Sequence, residues 1–176
     1  MEKQFIDPRQ LNLQPFTAFD PEGVLLVSGH DAAKANVMTI GWGAFGIMWG
    51  RPVMMVMVRP TRHTWQFITQ APDFTVNWMD EAWTEAMRLC GSASGRDLDK
   101  FAAAGMTPGQ ARFVQSPVIS ESMLALECRI LYRHDLAPEF FKDPALNSVY
   151  TAQDYHGLFF GEVVAALGVE TFRRSA

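Results

Sequence analysis

Arg62, Lys100 and the hydroxyls of Thr39, Thr64, Ser92 and Ser94 are the side chains whose types and settings suit a phosphorylated ligand. They fall in or beside three short segments: Asn36-Val-Met-Thr-Ile-Gly-Trp42, Arg59-Pro-Thr-Arg-His-Thr-Trp65 and Cys90-Gly-Ser-Ala-Ser-Gly-Arg-Asp97. Each joins small or hydroxylated residues to turn-forming backbone beside an apolar run, and two add fixed positive charge. A phosphate calls for cations and N–H donors. A flat heterocycle calls for amide-like partners at its edge and apolar cover on its faces.

The first segment offers an amide, a hydroxyl and backbone groups. In an uninterrupted strand Asn36, Met38, Ile40 and Trp42 face one way and Val37, Thr39 and Gly41 the other. Asn36 and Thr39 therefore meet one flat ligand together only across a bulge; otherwise backbone groups at the strand edge carry the recognition. The second segment leads from an apolar run into a helix start, where free N–H groups, Arg62 and the hydroxyl of Thr61 or Thr64 suit an anion. The third lacks the GxxxxGK[ST] order of a Walker loop, but its small residues allow a nest of backbone amides near Arg96 and Lys100.

Taken singly, each segment also has a plain structural reading. These are a hairpin strand with Asn36 in the turn and Trp42 in the core, a helix start with a solvated Arg62, and a helix-to-helix connection with Ser94 and Asp97 as a capping pair. Cys90 lacks an identifiable base and reads as a small buried group. The four histidines show no metal-ligand spacing, so no metal site is expected. Of these, His156 at the head of a strand either meets a ligand or caps the strand end.

The elements that must hold these segments are mostly strands. Val24–Val27 and Asn36–Trp42 flank a turn-rich Ser28–Asp31 and form a hairpin. Val53–Val58 is apolar throughout, as in a strand covered on both faces, bounded by Pro52 and Pro60. Helices are expected over Thr61–Ala71, over Glu81–Cys90 with Gly91 at its C′ position, and over Asp97–Ala104 with Asp97 as cap and Gly105 as terminator. Phe74–Met79 alternates as a strand. Leu124–Tyr132 alternates most clearly and reads as a half-buried strand. Tyr155–Leu167 gives a last strand with Gly157 and Gly161 permitting a bend or bulge. The stretch from Leu136 to Asn147 is an excursion between strands, suited to a lid or an interface arm. Single short helices among strands fit a mostly β, antiparallel barrel with peripheral helices better than a doubly wound sheet.

The 176 residues, 48% hydrophobic and 19% charged, suit one domain over 1–176 with a substantial core. No apolar run approaches the length of a bilayer span, and the N-terminus has no signal-peptide organisation, so a soluble, cytoplasmic protein without membrane partners is expected. A net charge of −4 argues against nucleic-acid binding. Cys90 and Cys128 are expected to be reduced.

In this order the segments, together with Trp49-Gly-Arg-Pro52, Asp99-Lys-Phe101, Leu126-Glu-Cys128, Asp154-Tyr-His156 and Gly161-Glu162, resemble the flavin reductase-like FMN-binding family, in particular its flavoredoxin-type branch. The resemblance implies an antiparallel split β-barrel, a homodimer and FMN near the subunit interface. It places Asn36, Met38, Thr39, Ile40 and Trp42 around the isoalloxazine ring, with Thr39 or a neighbouring amide near N5. It places Arg59, Arg62, Thr64, Ser92, Ser94 and Lys100 along the ribityl chain and phosphate, and His156 against the site from the last strand. Thr39 and His156 are the catalytic candidates. Gly41 stands where related chains often have serine. The activity implied is NAD(P)H-dependent flavin reduction with onward electron transfer, the nicotinamide acting as a transient donor in the absence of a GxGxxG fingerprint. The alternatives are an electron carrier that serves a redox partner protein and a non-catalytic flavin binder.

Overall fold

The computed structural model describes residues 2–174. Strands β1 (Gln4–Ile6), β2 (Val24–Gly29), β3 (Ala35–Ile40), β4 (Gly43–Met48) and β5 (Arg51–Val58) precede helix α1 (Thr64–Ile68). Strand β6 (Asp73–Trp78), helices α2 (Thr84–Ser92) and α3 (Lys100–Ala104), and the two-residue strands β7 (Pro108–Gly109) and β8 (Val118–Ile119) follow. The chain closes with the long β9 (Leu124–Asp135) and β10 (Gly157–Gly168).

The main sheet runs β3-β2-β6-β9-β10-β5-β4, with β1 also on β10, and every pair is antiparallel. Residues from β2, β3, β5, β6, β9 and β10 meet in one apolar cluster that includes Leu26, Met38, Met54, Phe74, Leu126 and Phe159. The sheet therefore wraps around its core, while β3 and β4 remain unpaired to each other: an open, split barrel. A second cluster, Leu25, Val27 and Val37 against Met87, Cys90 and Phe101, fixes α2 and α3 to the outside of β2 and β3. Among the described residues no helix is long and apolar enough to cross a membrane.

The hairpin of β2 and β3, strand β6 and the two long last strands lie where the sequence patterns put them. Several local expectations are corrected. Helix α1 is only Thr64–Ile68, because Thr61–His63 turn more tightly, with Arg62 N bonded to Arg59 O and Trp65 N to Arg62 O. Gly91 lies inside α2, which continues to Ser92. Asp99, not Asp97, caps α3, accepting from the amides of Phe101 and Ala102, while Gly105 ends it in the left-handed region as expected. Strand β5 is buried along its inward face; on its outward face Val53 is covered while Met55 and Met57 are partly exposed. Strand β9 is buried on both faces over its first five residues. The cause is Glu127, a residue 2% exposed whose carboxylate accepts from the amides of Arg112 and Phe113, drawing a loop over the outer face. Strand β4, Gly43-Ala-Phe-Gly-Ile-Met48, is absent from the sequence reading because its two glycines and small alanine give no alternation of side chains, and its order comes from pairing with β5.

The register shift expected near Gly161 is present, with a second between Val163 and Ala165. A Cβ at Gly161 would sit 2.7 Å from the Phe74 ring, so the close approach there requires glycine. These shifts bend β10 around the core, and His156, the residue just before the strand, lies at the mouth between β3 and β5.

Candidate functional site

A cleft of about 220 Å³ opens at that mouth, lined by Met38, Thr39, Ile40, Gly41, Trp42, Met57, Arg59, Arg62 and His156. A smaller lobe of about 120 Å³ adjoins it through Met38 and Arg62 and is walled by Thr61–Thr64, Cys90–Arg96 and Lys100. One lobe thus has apolar and aromatic walls and the other is cationic and lined by small residues. Of the expected site residues, all but Asn36 line one or both lobes.

Strand β3 is regular here, and its faces separate as alternation dictates. Asn36 points to the α1 side, where its amide is buried and donates to Thr64 Oγ1 at 2.7 Å. Thr39 points to α2 and donates to the carbonyl of Met87. Neither side chain is free to seek a ligand, which leaves the backbone of residues 39–42 as the hydrogen-bonding rim. Trp42, 47% exposed, forms an open wall, its ring 5.1 Å from that of His156.

In the cationic lobe Lys100 is buried, and its ammonium donates to the carbonyl of Cys90 at 2.7 Å. Burial pushes its pKa down and Arg62 adds to this, with Cys90 opposing. His63 is pushed down likewise, by burial and then by Arg96 and Lys100. Positive groups that disfavour one another's charge mark a place where an anion is favourable. Arg62 is exposed and reaches the carbonyl of Gly91 at 3.3 Å. Ser94 Oγ accepts from the amide of Arg96, and Ser92 Oγ donates to the carbonyl of Arg88. Gly95 is held to glycine because a Cβ would fall 2.0 Å from Asn36 Oδ1.

Arg59 lines the first lobe, yet its guanidinium is committed elsewhere. It pairs with Asp154 at 2.6 Å, donates to the carbonyl of Val149 at 3.1 Å and lies over the Tyr150 ring. It fastens the excursion between β9 and β10 against the barrel. That excursion carries Tyr150, whose hydroxyl is 2.8 Å from His156 Nδ1. Tyr150 and Arg96 are site neighbours the sequence reading did not select. Met57, too, lines the cleft although the apolar run Val53–Val58 reads only as a covered strand. Only Arg96 carried a signal, its place in the small-residue segment. Cys90 lines the cationic lobe, but burial raises its thiol to about 11, so it stays protonated.

Burial, then Arg59, lowers the His156 pKa from its ordinary 6.5 to about 4, against an opposing effect of Asp154 and with Arg62 adding to the lowering. Below 6.5 the unfolded chain takes up a proton that the folded protein refuses until about 4. This contribution to stability is therefore whole above the upper value and is lost as pH falls through the window. Denaturant midpoints measured from neutral pH downward should fall less steeply in His156→Gln than in the parent protein. Parallel profiles would show that the imidazole is solvated.

A family model described as the flavin reductase like domain matches residues 20–174. Among curated relatives, an uncharacterized protein of Aquifex aeolicus (strain VF5) is 30% identical over 88 residues, 47% of this chain and 44% of that protein. The match thus spans less than half of that relative's length. Among solved structures, the flavoredoxin from Methanosarcina acetivorans is similar with a TM-score of 0.64 and 26% identity, over 84% of this chain and 68% of that one. An FMN-binding protein from Thermus thermophilus is similar with a TM-score of 0.61 and 25% identity, over 85% of this chain and 73% of that one.

Proposed function

The chain belongs to the flavin reductase-like domain family, and on that premise we propose that it is an FMN-binding oxidoreductase in which NAD(P)H reduces the flavin and electrons pass to a downstream acceptor. The observation that carries this reading is the pairing of an aromatic, apolar lobe with a cationic lobe through Met38 and Arg62. That order matches the chemistry of FMN, a flat ring joined by a polyol to a phosphate. Residues 1–176 act as one flavin-binding domain in the cytoplasm.

When bound, the flavin supplies the hydride and electron chemistry, and the protein supplies binding and orientation. Met38, Ile40, Trp42 and Met57 cover the ring, and the backbone of residues 39–42 bonds its edge. Arg62, with Lys100 and Arg96 behind it, neutralises the phosphate, while Thr64, Ser92 and Ser94 shape the lobe. The exposed side of Trp42 leaves room for a nicotinamide to arrive transiently.

A second copy of the chain is proposed to cover the outer face of β5, β9 and β10. There Trp49, 62% exposed, meets Tyr132 and Phe160 at 6.3 and 6.2 Å, with Met55 beside Phe160. Sedimentation at micromolar concentration should give a dimer; a monomer would remove the shared interface.

The likeness to a flavoredoxin favours a second reading, an electron carrier reduced by a partner protein with no nicotinamide turnover of its own. Mixing the FMN-loaded protein with NADH or NADPH in a stopped-flow instrument separates the two. Bleaching of the flavin band supports the reductase, and bleaching only with a partner reductase supports the carrier. A colourless protein that takes up no FMN would sink both.

A further inference from the structure

We propose that Tyr150 is a positioning residue that holds His156 as its neutral Nε2–H tautomer, so that the cleft beside Trp42 presents a fixed hydrogen-bond donor to a carbonyl-type acceptor. The tautomer follows from the protein alone. Only the identity of the acceptor rests on the flavin reading.

The position of Tyr150 is over-determined. Its ring stacks on Phe141 at 5.8 Å and 23°, lies 5.0 Å from the ring of Tyr155 and carries the Arg59 guanidinium 5.0 Å from its centroid. Arg59 is fixed in turn by Asp154 and the carbonyl of Val149. The phenol therefore meets Nδ1 of His156 at 2.8 Å without freedom to turn away.

The direction of that bond is set by acid–base strength. Burial raises the phenol's pKa, so Tyr150 keeps its proton. Burial and the cations Arg59 and Arg62 disfavour the imidazolium, with Asp154 opposing, so His156 is neutral at ordinary pH. A neutral imidazole has one donor nitrogen and one acceptor nitrogen. Phenol is the stronger acid and imidazole the stronger base, and the guanidinium over the phenol ring polarises its O–H further. The hydroxyl donates, Nδ1 accepts, and the imidazole proton must sit on Nε2.

Among the described residues Nε2 has no protein partner, and no fully buried side-chain nitrogen or oxygen lacks one. Nε2 is thus open to the cleft that His156 lines with Trp42 and Met57. A donor held there suits either a pyrimidine carbonyl of the bound flavin or the carboxamide of an entering nicotinamide.

Long-range 1H–15N correlation spectra of the full chain, labelled in its histidines and free of ligand at neutral pH, test this directly. Signals of His156, identified by their loss in His156→Gln, should show a protonated Nε2 and a bare Nδ1, where solvated histidines show averaged nitrogens. Tyr150→Phe, which keeps the ring stack, should return His156 to the averaged pattern with its pKa raised, while circular dichroism reports an intact fold. The opposite tautomer in the parent protein, or an unchanged pattern in Tyr150→Phe, overturns the proposal; if the variant does not fold, the parent spectrum decides alone. Adding FMN and then NAD+ identifies the acceptor: a shift of Nε2 with FMN assigns it to the flavin, and a shift only with NAD+ assigns it to the nicotinamide. No shift with either, in a sample whose visible band shows bound FMN, overturns the donor role. Failure of FMN to bind would instead strike the flavin reading and leave the tautomer standing.

Discussion

Arg62→Ala is expected to weaken FMN binding by roughly 10- to 100-fold while leaving riboflavin affinity nearly unchanged, since a hydrogen bond to a charged group contributes about 1.5–3 kcal/mol and each 1.4 kcal/mol is tenfold. The comparison is informative because the guanidinium is exposed and its protein bond, to the carbonyl of Gly91 at 3.3 Å, is long. Its loss should cost the fold little. Lys100 is a poorer probe: it is buried and satisfies the carbonyl of Cys90, so truncation would disturb α2 and α3 along with the lobe. Quenching of flavin fluorescence on titration into the apoprotein gives both affinities. Equal losses for FMN and riboflavin would move Arg62 from the phosphate end to the ring, and no loss for either would remove it from the site.

The reason Arg62 was legible in the sequence, and Tyr150 was not, is physical. Arg62 projects from a turn built by its own neighbours, Arg59 to Trp65, so the local order of proline, threonine and arginine already describes a turn that presents a charge. Tyr150 acts on His156 through an excursion whose path depends on Arg59 reaching Asp154, 95 residues away in sequence. No local pattern reports such a pairing. The strand framework was readable for the same reason as Arg62: alternation in β3 and β9 is a property of neighbours. It even limited a joint role for the Asn36 and Thr39 side chains to a bulged strand, and the structure places them on opposite faces of a regular one. The reading failed where a distant element changes burial. Glu127 reads as an outward polar residue and is buried because a loop folds back to bond it, and β4 has no local signal because its partner β5 supplies the order. Asp97 and Asp99 show the remaining limit. Two residues apart, both are competent caps, and only the geometry of the turn after Ser94 selects Asp99.

Asp73→Ala is expected to be the most damaging substitution outside the apolar core, with a loss of about 3–5 kcal/mol, because a buried amide and a part-buried one lose a charged acceptor at once. Asp73 is 4% exposed at the start of β6, and its two carboxylate oxygens accept from the amides of Gln115 and Ser116 at 2.8 and 2.9 Å. Ser116 Oγ in turn accepts from the amide of Gly29 at 3.1 Å, at the end of β2. One carboxylate therefore ties the loop before β8 to the hairpin that delivers β3 to the cleft. Chemical denaturation should show a lower midpoint at an unchanged slope, against a domain stability of about 5–15 kcal/mol. Asp143→Ala removes only an exposed cap on the amide of Ala145 and should cost about 1 kcal/mol or less. Because the Asp73 carboxylate touches neither lobe, the folded variant keeps its ligand site. FMN at a hundred times its dissociation constant should then restore about 2.7 kcal/mol by binding only the folded state. A loss no greater than that of Asp143→Ala would mean that water replaces the carboxylate at both amides. A full loss that FMN does not offset would mean that the hairpin carrying Thr39 to Trp42 had moved with the loop.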